Sequence, residues 1–149
     1  MANNKKLSSS LEDYLEAIYN LSRQDKVARS RDIADILGVT RASVTGALKL
    51  LNDKELIDYQ PYGLIRLTAK GLQQAKAVVS RHNIIESFFV NVLGVDKQTA
   101  EQAACKAEHA LGAVVISKLL EFTEFSTHRS ENGTDIIADF QRFCRSRGN

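Results

Sequence analysis

Glu101, Cys105, Glu108 and His109, four residues able to hold a metal ion, stand at offsets 0, 4, 7 and 8 in one stretch of the sequence. At about 100° per residue on a helix, they fall within an arc of roughly 100°. Ala103, Ala104, Ala107, Ala110 and Leu111 take the other side, so the spacing predicts an amphipathic helix near Gln98 to Leu111 with one apolar face and one face of donors. Carboxylate, thiolate and imidazole on one stripe supply most of the ligands that a divalent transition metal needs. Two further pairs fit the same chemistry. His82 and Glu86 are one helical turn apart, and Asp13 and Glu16 are three residues apart, so each pair projects to one side of its helix. Taken singly, His82 with Glu86 reads as a surface ion pair and Cys105 as a small buried hydrophobe. Taken together, eight donors in three amphipathic helices point to a metal centre. The third histidine, His128, falls in a polar stretch read as a loop, where it is incidental.

The elements that must position these groups are mostly helical. From Ser10, read as an N-cap, Leu11, Leu15, Ile18 and Leu21 repeat at helical spacing with Tyr14 and Tyr19 beside them. Ser30 precedes a short helix carrying Ile33, Ala34 and Leu37, which stops at Gly38. Thr40 caps the next helix, whose buried stripe is Val44, Ala47, Leu48 and Leu51, so that Leu37-Gly38-Val39-Thr40 is the joint of a helix-turn-helix. After Leu56 the period shortens. Two β-prone runs flank Gln60-Pro61-Tyr62-Gly63 as a hairpin, and a hairpin in that place is a wing. Thr68 then opens a long helix toward Phe88. Breaks at Gly94 and across Ser126 to Gly133 divide the remainder into helices near Gln98 to Leu111, Val114 to Phe122 and Asp135 to Cys144. The fold class expected is mainly α: an N-terminal winged helix-turn-helix over residues 1–74, followed by an all-helical domain over residues 75–149.

With Val44 turned inward, Ala42, Thr45, Gly46 and Lys49 face outward on the second helix of the motif, with Arg41 and Ser43 at the edges. Short side chains, hydroxyls and cations are what a helix entering the major groove of duplex DNA requires. Gly46 adds to this, since glycine in an exposed helix costs roughly 1 kcal/mol against alanine and is explained where something must come close. Thr40, Arg41, Ala42, Ser43, Thr45 and Lys49 are therefore the candidate DNA contacts. In the wing, Tyr62 and Arg66 could reach phosphates or the minor groove, or could serve hairpin packing and solvent exposure.

Composition bounds the remaining classes. With 149 residues, 44% hydrophobic and 26% charged, the chain is that of an ordinary globular protein. The net charge of +2 does not by itself announce a nucleic-acid binder, but the small excess lies in residues 1–74, with eleven Lys and Arg against nine Asp and Glu. No run approaches the roughly 18 apolar residues of a membrane span, and the polar start Met1 to Lys6 is unlike a secretory signal, so no membrane partner and a cytoplasmic location are expected. Cys105 and Cys144 are too few for a disulfide framework. A small metalloenzyme is disfavoured, because no His-Glu-x-x-His, nucleophile elbow or phosphate loop occurs.

The run Ser10-Leu11-Glu12-Asp13-Tyr14-Leu15-Glu16-Ala17-Ile18-Tyr19, the segment Val39 to Thr45, Leu67-Thr68-Ala69-Lys70-Gly71, Arg81-His82 and Cys105-Lys106-Ala107-Glu108-His109 together resemble the diphtheria-toxin-repressor and manganese-transport-regulator (DtxR/MntR) family over essentially the whole chain. The resemblance implies a winged-helix domain joined to a helical dimerisation domain. It also implies a homodimer on palindromic operator DNA and repression with Mn²⁺ or Fe²⁺ as corepressor, for which Co²⁺, Zn²⁺ or Cd²⁺ could substitute. In the manganese branch it implies ligands at Asp13, Glu16, His82, Glu108 and His109, with a glutamate where this chain has Cys105. The iron branch has the cysteine, but a methionine where Asp13 stands. The iron branch also has an ancillary site, to which His82 and Glu86 correspond, with Glu101 in place of its remaining histidine. The chain is thus a hybrid of the two branches, and thiolate against carboxylate leaves the metal open. Longer iron-branch members carry a third, SH3-like domain, which is not expected in the 149 residues here. The alternative from the residues alone is a winged-helix regulator answering to an organic ligand or to oxidation at Cys105.

Overall fold

The computed structural model describes residues 7–23, 27–60, 63–131, 133 and 135–148. In chain order the elements are α1 (Ser9–Arg23), α2 (Ser30–Leu37), α3 (Arg41–Asp53), β1 (Ile57–Asp58), β2 (Arg66–Leu67), α4 (Ala69–Ser87), a π-helical turn (Phe88–Val92), α5 (Lys97–Ala107), α6 (Ala113–Glu131) and α7 (Ile136–Ser146). Two compact units result, Met1–Val79 and Ser80–Asn149, with α4 passing from one to the other.

The first unit is a winged helix-turn-helix. Its core is made by the apolar stripes of the helices: Leu15 and Ile18 of α1, Ile33 of α2, and Val44, Leu48 and Leu51 of α3, closed by Leu56, Ile57 and Ile65. Gly38 ends α2 in the left-handed conformation, φ +64°, with its N–H donating to Ala34 O. Two residues later, Thr40 Oγ1 accepts from Ser43 N–H at 3.1 Å and starts α3. β1 and β2 pair antiparallel, with Ile57 opposite Leu67 and Asp58 opposite Arg66. A bridge from Ala28 to Ile65 adds a third short arm. Gly63 N–H donates to Gln60 O at 2.8 Å across the turn; Pro61 and Tyr62 lie outside the described residues.

Two expected helix starts shift. On α1 the capping side chain is Ser8, whose Oγ accepts from Leu11 N–H at 3.3 Å, and Ser10 is already helical. On α2 the cap position is Arg29, without a side-chain cap bond, and Ser30 is the first helical residue. Runs of consecutive serines, or serine next to arginine, offer several registers, and packing of the apolar stripe selects one.

The start of α4 is locked to the end of α3 through Thr68 and Gly71. Thr68 N–H donates to Leu56 O at 3.1 Å, Thr68 Oγ1 donates to Glu55 O at 2.7 Å, and Lys70 Nζ donates to Lys54 O at 2.9 Å. A Cβ on Gly71 would lie 1.7 Å from Leu56 O, so only glycine allows this approach.

In the second unit, α4 ends in a π turn in which Leu93 N–H reaches Phe88 O, then Gly94 reverses the chain at φ +74°. Asp96 caps α5 by accepting from Thr99 N–H at 3.0 Å, and the Thr99 side chain and backbone bonds hold the Asp96 carboxyl below its ordinary range. α6 is one continuous helix to Glu131, so the expected break at Ser126 is absent and His128 lies in its last turn rather than in a loop. Ser126 and Thr127 donate their hydroxyls to Phe122 O and Thr123 O, which lets polar residues continue the helix. The buried core of this unit is small: Ile85, Ala104 and Ile116, with Phe89, Leu111 and Leu119 against it. Val114, Leu120, Phe122, Phe125, Phe140 and Phe143 are exposed, and α7 buries no residue at all. Among the described residues, no helix is long and apolar enough to cross a membrane.

Candidate functional site

The chain turns back at Gly94 between α4 and α5, and arms of similar length on either side bring distant residues together. Ile85 meets Ala104 in the core, and one turn further from the bend His82 meets Glu108. Glu108 follows Ala100 and Ala104 at i+4 intervals down the buried side of α5, which ends at Ala107. Glu108 and His109 therefore lie on the turn after the helix, and the single-helix donor face expected from the sequence is divided. Glu108 belongs to the buried row, Glu101 and Cys105 are exposed, and His109 is half-buried.

Glu108 is 1% exposed. Its Oε2 is 2.7 Å from His82 Nδ1 and its Oε1 is 3.3 Å from His109 Nε2. Cys105 Sγ is 3.8 Å from the same His82 nitrogen, and Glu86 Oε2 is 3.6 Å from His82 Nε2. The side chains of His82 and Glu86 are 11% and 22% exposed, so this is no surface ion pair, and Cys105 is no buried hydrophobe. A carboxylate is taken out of water only where cations or strong donors compensate it. Two imidazoles at its two oxygens, with a thiol alongside, form an O, N and S donor set that fits a borderline divalent metal. Glu101 joins no cluster of three donors among the described residues. Asp13 and Glu16 lie in the first unit, one turn apart on α1 and both half-buried.

The other candidate surface is the outer face of α3. Thr40, Arg41, Ala42, Ser43 and Lys49 are exposed and Thr45 is half-buried, with Val44 inside as expected. Thr45 Oγ1 donates to Arg41 O at 3.0 Å, which leaves its oxygen as an acceptor. Arg66 is exposed on β2; Tyr62 lies outside the described residues. A Cβ at Gly46 would meet nothing within 4 Å, so no contact inside the chain demands glycine there. An open cleft next to α3 is lined by Arg29, Arg31, Arg41, Thr45, Lys49 and Tyr59. Arg29, Arg31 and Tyr59 did not stand out in the sequence because they flank the start of α2 or follow β1. Only the fold gathers these cations with those of α3, though Arg29-Ser30-Arg31 at a helix start was a legible hint.

Residues 6–65 match the family described as "Iron dependent repressor, N-terminal DNA binding domain", and residues 68–137 match "Iron dependent repressor, metal binding and dimerisation domain". An uncharacterised HTH-type transcriptional regulator of Methanocaldococcus jannaschii is 37% identical over 119 residues, 79% of this chain and 95% of that protein. The HTH-type transcriptional regulator MntR of Bacillus pumilus is 33% identical over 129 residues, 87% of this chain and 89% of its own. The solved structure of the manganese regulator SloR superposes with a TM-score of 0.68 at 29% identity and covers 77% of this chain, which spans 54% of SloR. The chain belongs to the diphtheria-toxin-repressor and manganese-transport-regulator family of metal-dependent transcriptional repressors, regulators rather than enzymes.

Proposed function

We propose that this chain is a cytoplasmic homodimeric repressor of metal-ion homeostasis genes that binds a palindromic operator when Mn²⁺ or Fe²⁺ is bound. The observation that carries this reading is the buried Glu108 carboxylate set between the imidazoles of His82 and His109. His82, Glu108 and His109 would hold the ion, Cys105 would stand beside it, and Asp13 and Glu16 would supply further oxygen ligands, as their residue types and i, i+3 spacing support. Glu86 and Glu101 are the remaining candidates. Carboxylates suit Mn²⁺ and the thiol suits Fe²⁺; SloR is described as a manganese regulator. When bound, the metal supplies positive charge that neutralises the carboxylates and cross-links the ligand-bearing helices. The residues of this chain then hold the reading heads at the roughly 34 Å spacing of successive major grooves. The exposed phenylalanines of α6 and α7 support a homodimer, since an apolar surface of this extent on a small unit is normally covered by a partner.

Fluorescence anisotropy of a palindromic DNA tests the reading. Affinity should fall when a chelator is added and return with Mn²⁺ or Fe²⁺; affinity indifferent to the chelator would reject it.

Two substitutions test the DNA face. Gly46→Ala should stabilise the first unit by up to about 1 kcal/mol through helix propensity. The same change should weaken operator binding about tenfold, about 1.4 kcal/mol, because the added methyl meets DNA rather than protein. Equal affinity for the two proteins would show that nothing approaches Gly46. Arg29→Ala should flatten the slope of log K against log salt by about one, as loss of one phosphate contact predicts, without changing sequence preference.

A further inference from the structure

The two ring nitrogens of His82 face different neighbours. Nδ1 has Glu108 Oε2 at 2.7 Å and Cys105 Sγ at 3.8 Å. The second oxygen of Glu108 leads on to His109 Nε2 at 3.3 Å. Nε2 faces Glu86 Oε2 at 3.6 Å, on the next turn of α4. The lone pairs of an imidazole point away from each other, so one ion cannot take both nitrogens. Two ligand atoms at right angles, each about 2.1 Å from an ion, lie about 3 Å apart, close to the Nδ1 to Oε2 spacing. Glu108, Cys105 and, through Glu108, His109 therefore gather on the Nδ1 side. A second ion on the Nε2 side would need partners for Glu86, and Glu101 is exposed and joins no cluster of three donors among the described residues.

We propose that Glu86 is a positioning residue. Its carboxylate holds the proton on His82 Nε2, so that the Nδ1 lone pair is presented toward Glu108, and Glu86 does not itself touch the ion. This rests on the reading of His82 and Glu108 as metal ligands. A carboxylate on the far nitrogen of a ligating imidazole fixes its tautomer and ring orientation, and its loss commonly weakens metal binding 10- to 100-fold. The 3.6 Å separation is longer than a hydrogen bond, so the proposal requires Glu86 to close on Nε2–H when the ion is held at Nδ1.

The test is a Mn²⁺ titration of the full chain, followed by the electron paramagnetic resonance signal of unbound Mn²⁺, which returns both ions per subunit and affinity. Glu86→Ala should keep the wild-type number of ions and bind about tenfold or more weakly, while Glu86→Gln, whose amide oxygen still accepts from Nε2–H, should recover to within about threefold. Melting of the metal-stripped variants at the wild-type temperature would separate this loss from damage to the fold. If Glu86→Ala melts early, Glu86→Gln and Glu86→Asp carry the comparison, with the amide expected near wild type and the shortened side chain weak. An ion missing from the count in Glu86→Ala would make Glu86 a ligand and overturn the proposal. Unchanged affinity in that variant, or a glutamine as weak as alanine, would also overturn it. Wild-type protein that takes up no Mn²⁺, Fe²⁺ or Co²⁺ would instead remove the metal reading on which the proposal stands.

Discussion

Glu108→Ala is expected to abolish the metal response of operator binding, leaving affinity with Mn²⁺ at the level of chelator-treated wild-type protein. Both oxygens of this carboxylate, which is 1% exposed, are committed to imidazoles, at 2.7 Å and 3.3 Å. Without the anion, the two imidazoles lose their shared partner, and metal affinity should fall by a factor of 100 or more, about 3 kcal/mol. Apo stability should move less, by about 1 kcal/mol, since alanine extends the row of Ala100 and Ala104 and removes the cost of keeping a carboxylate buried along with its hydrogen bonds. This contrast separates a ligand from a structural residue. His109→Ala should lose the response as well. Metal-dependent operator binding retained in both variants would reject the site, and a fall in apo melting as large as the loss of binding would make Glu108 structural.

Gly71→Ala is expected to destabilise the first unit, although alanine is the better helix former. The added Cβ would stand 1.7 Å from Leu56 O and 2.7 Å from Leu56 C, both backbone atoms that no side-chain rotation can move. Relief requires α4 to withdraw from the end of α3, which breaks the bonds from Thr68 to Leu56 O and Glu55 O. Overpacking of this kind costs about 3 kcal/mol or more against a propensity gain of about 1 kcal/mol. The net loss of about 2 kcal/mol should lower the melting temperature by roughly 8–16 °C, followed by circular dichroism. Gly46→Ala, where a Cβ meets nothing, should shift in the opposite direction. Equal melting of Gly71→Ala and wild type would show that the Thr68 lock does not hold the two helices at this distance.

The elements of the first unit were legible because each carries its own signal. Gly38 ends α2, Thr40 caps α3, and Val44, Ala47, Leu48 and Leu51 form a stripe that only a helix can bury on one side. The errors fell where local signals are degenerate. Ser8, Ser9 and Ser10 can each cap α1, and the polar run from Ser126 to Gly133 reads as a loop although its hydroxyls bond back to the helix. The eight donor residues were also legible by type, and the meeting of His82 with Glu108 could have been found by folding the chain back at the Gly94-Val95 turn, since Val95 lies midway between them.

Residue type and periodicity by themselves determined which helices form, where the turn of the helix-turn-helix lies, and which side chains could bind metal or DNA. Tertiary structure alone decided that Glu108 is buried between two imidazoles, that Cys105 and Glu101 stay outside, that Gly71 must be bare, and that Arg29 and Arg31 join the cations of α3. Periodicity and caps report interactions within about four residues, whereas burial and pairing across the 26-residue separation of His82 and Glu108 depend on how the chain folds back at Gly94.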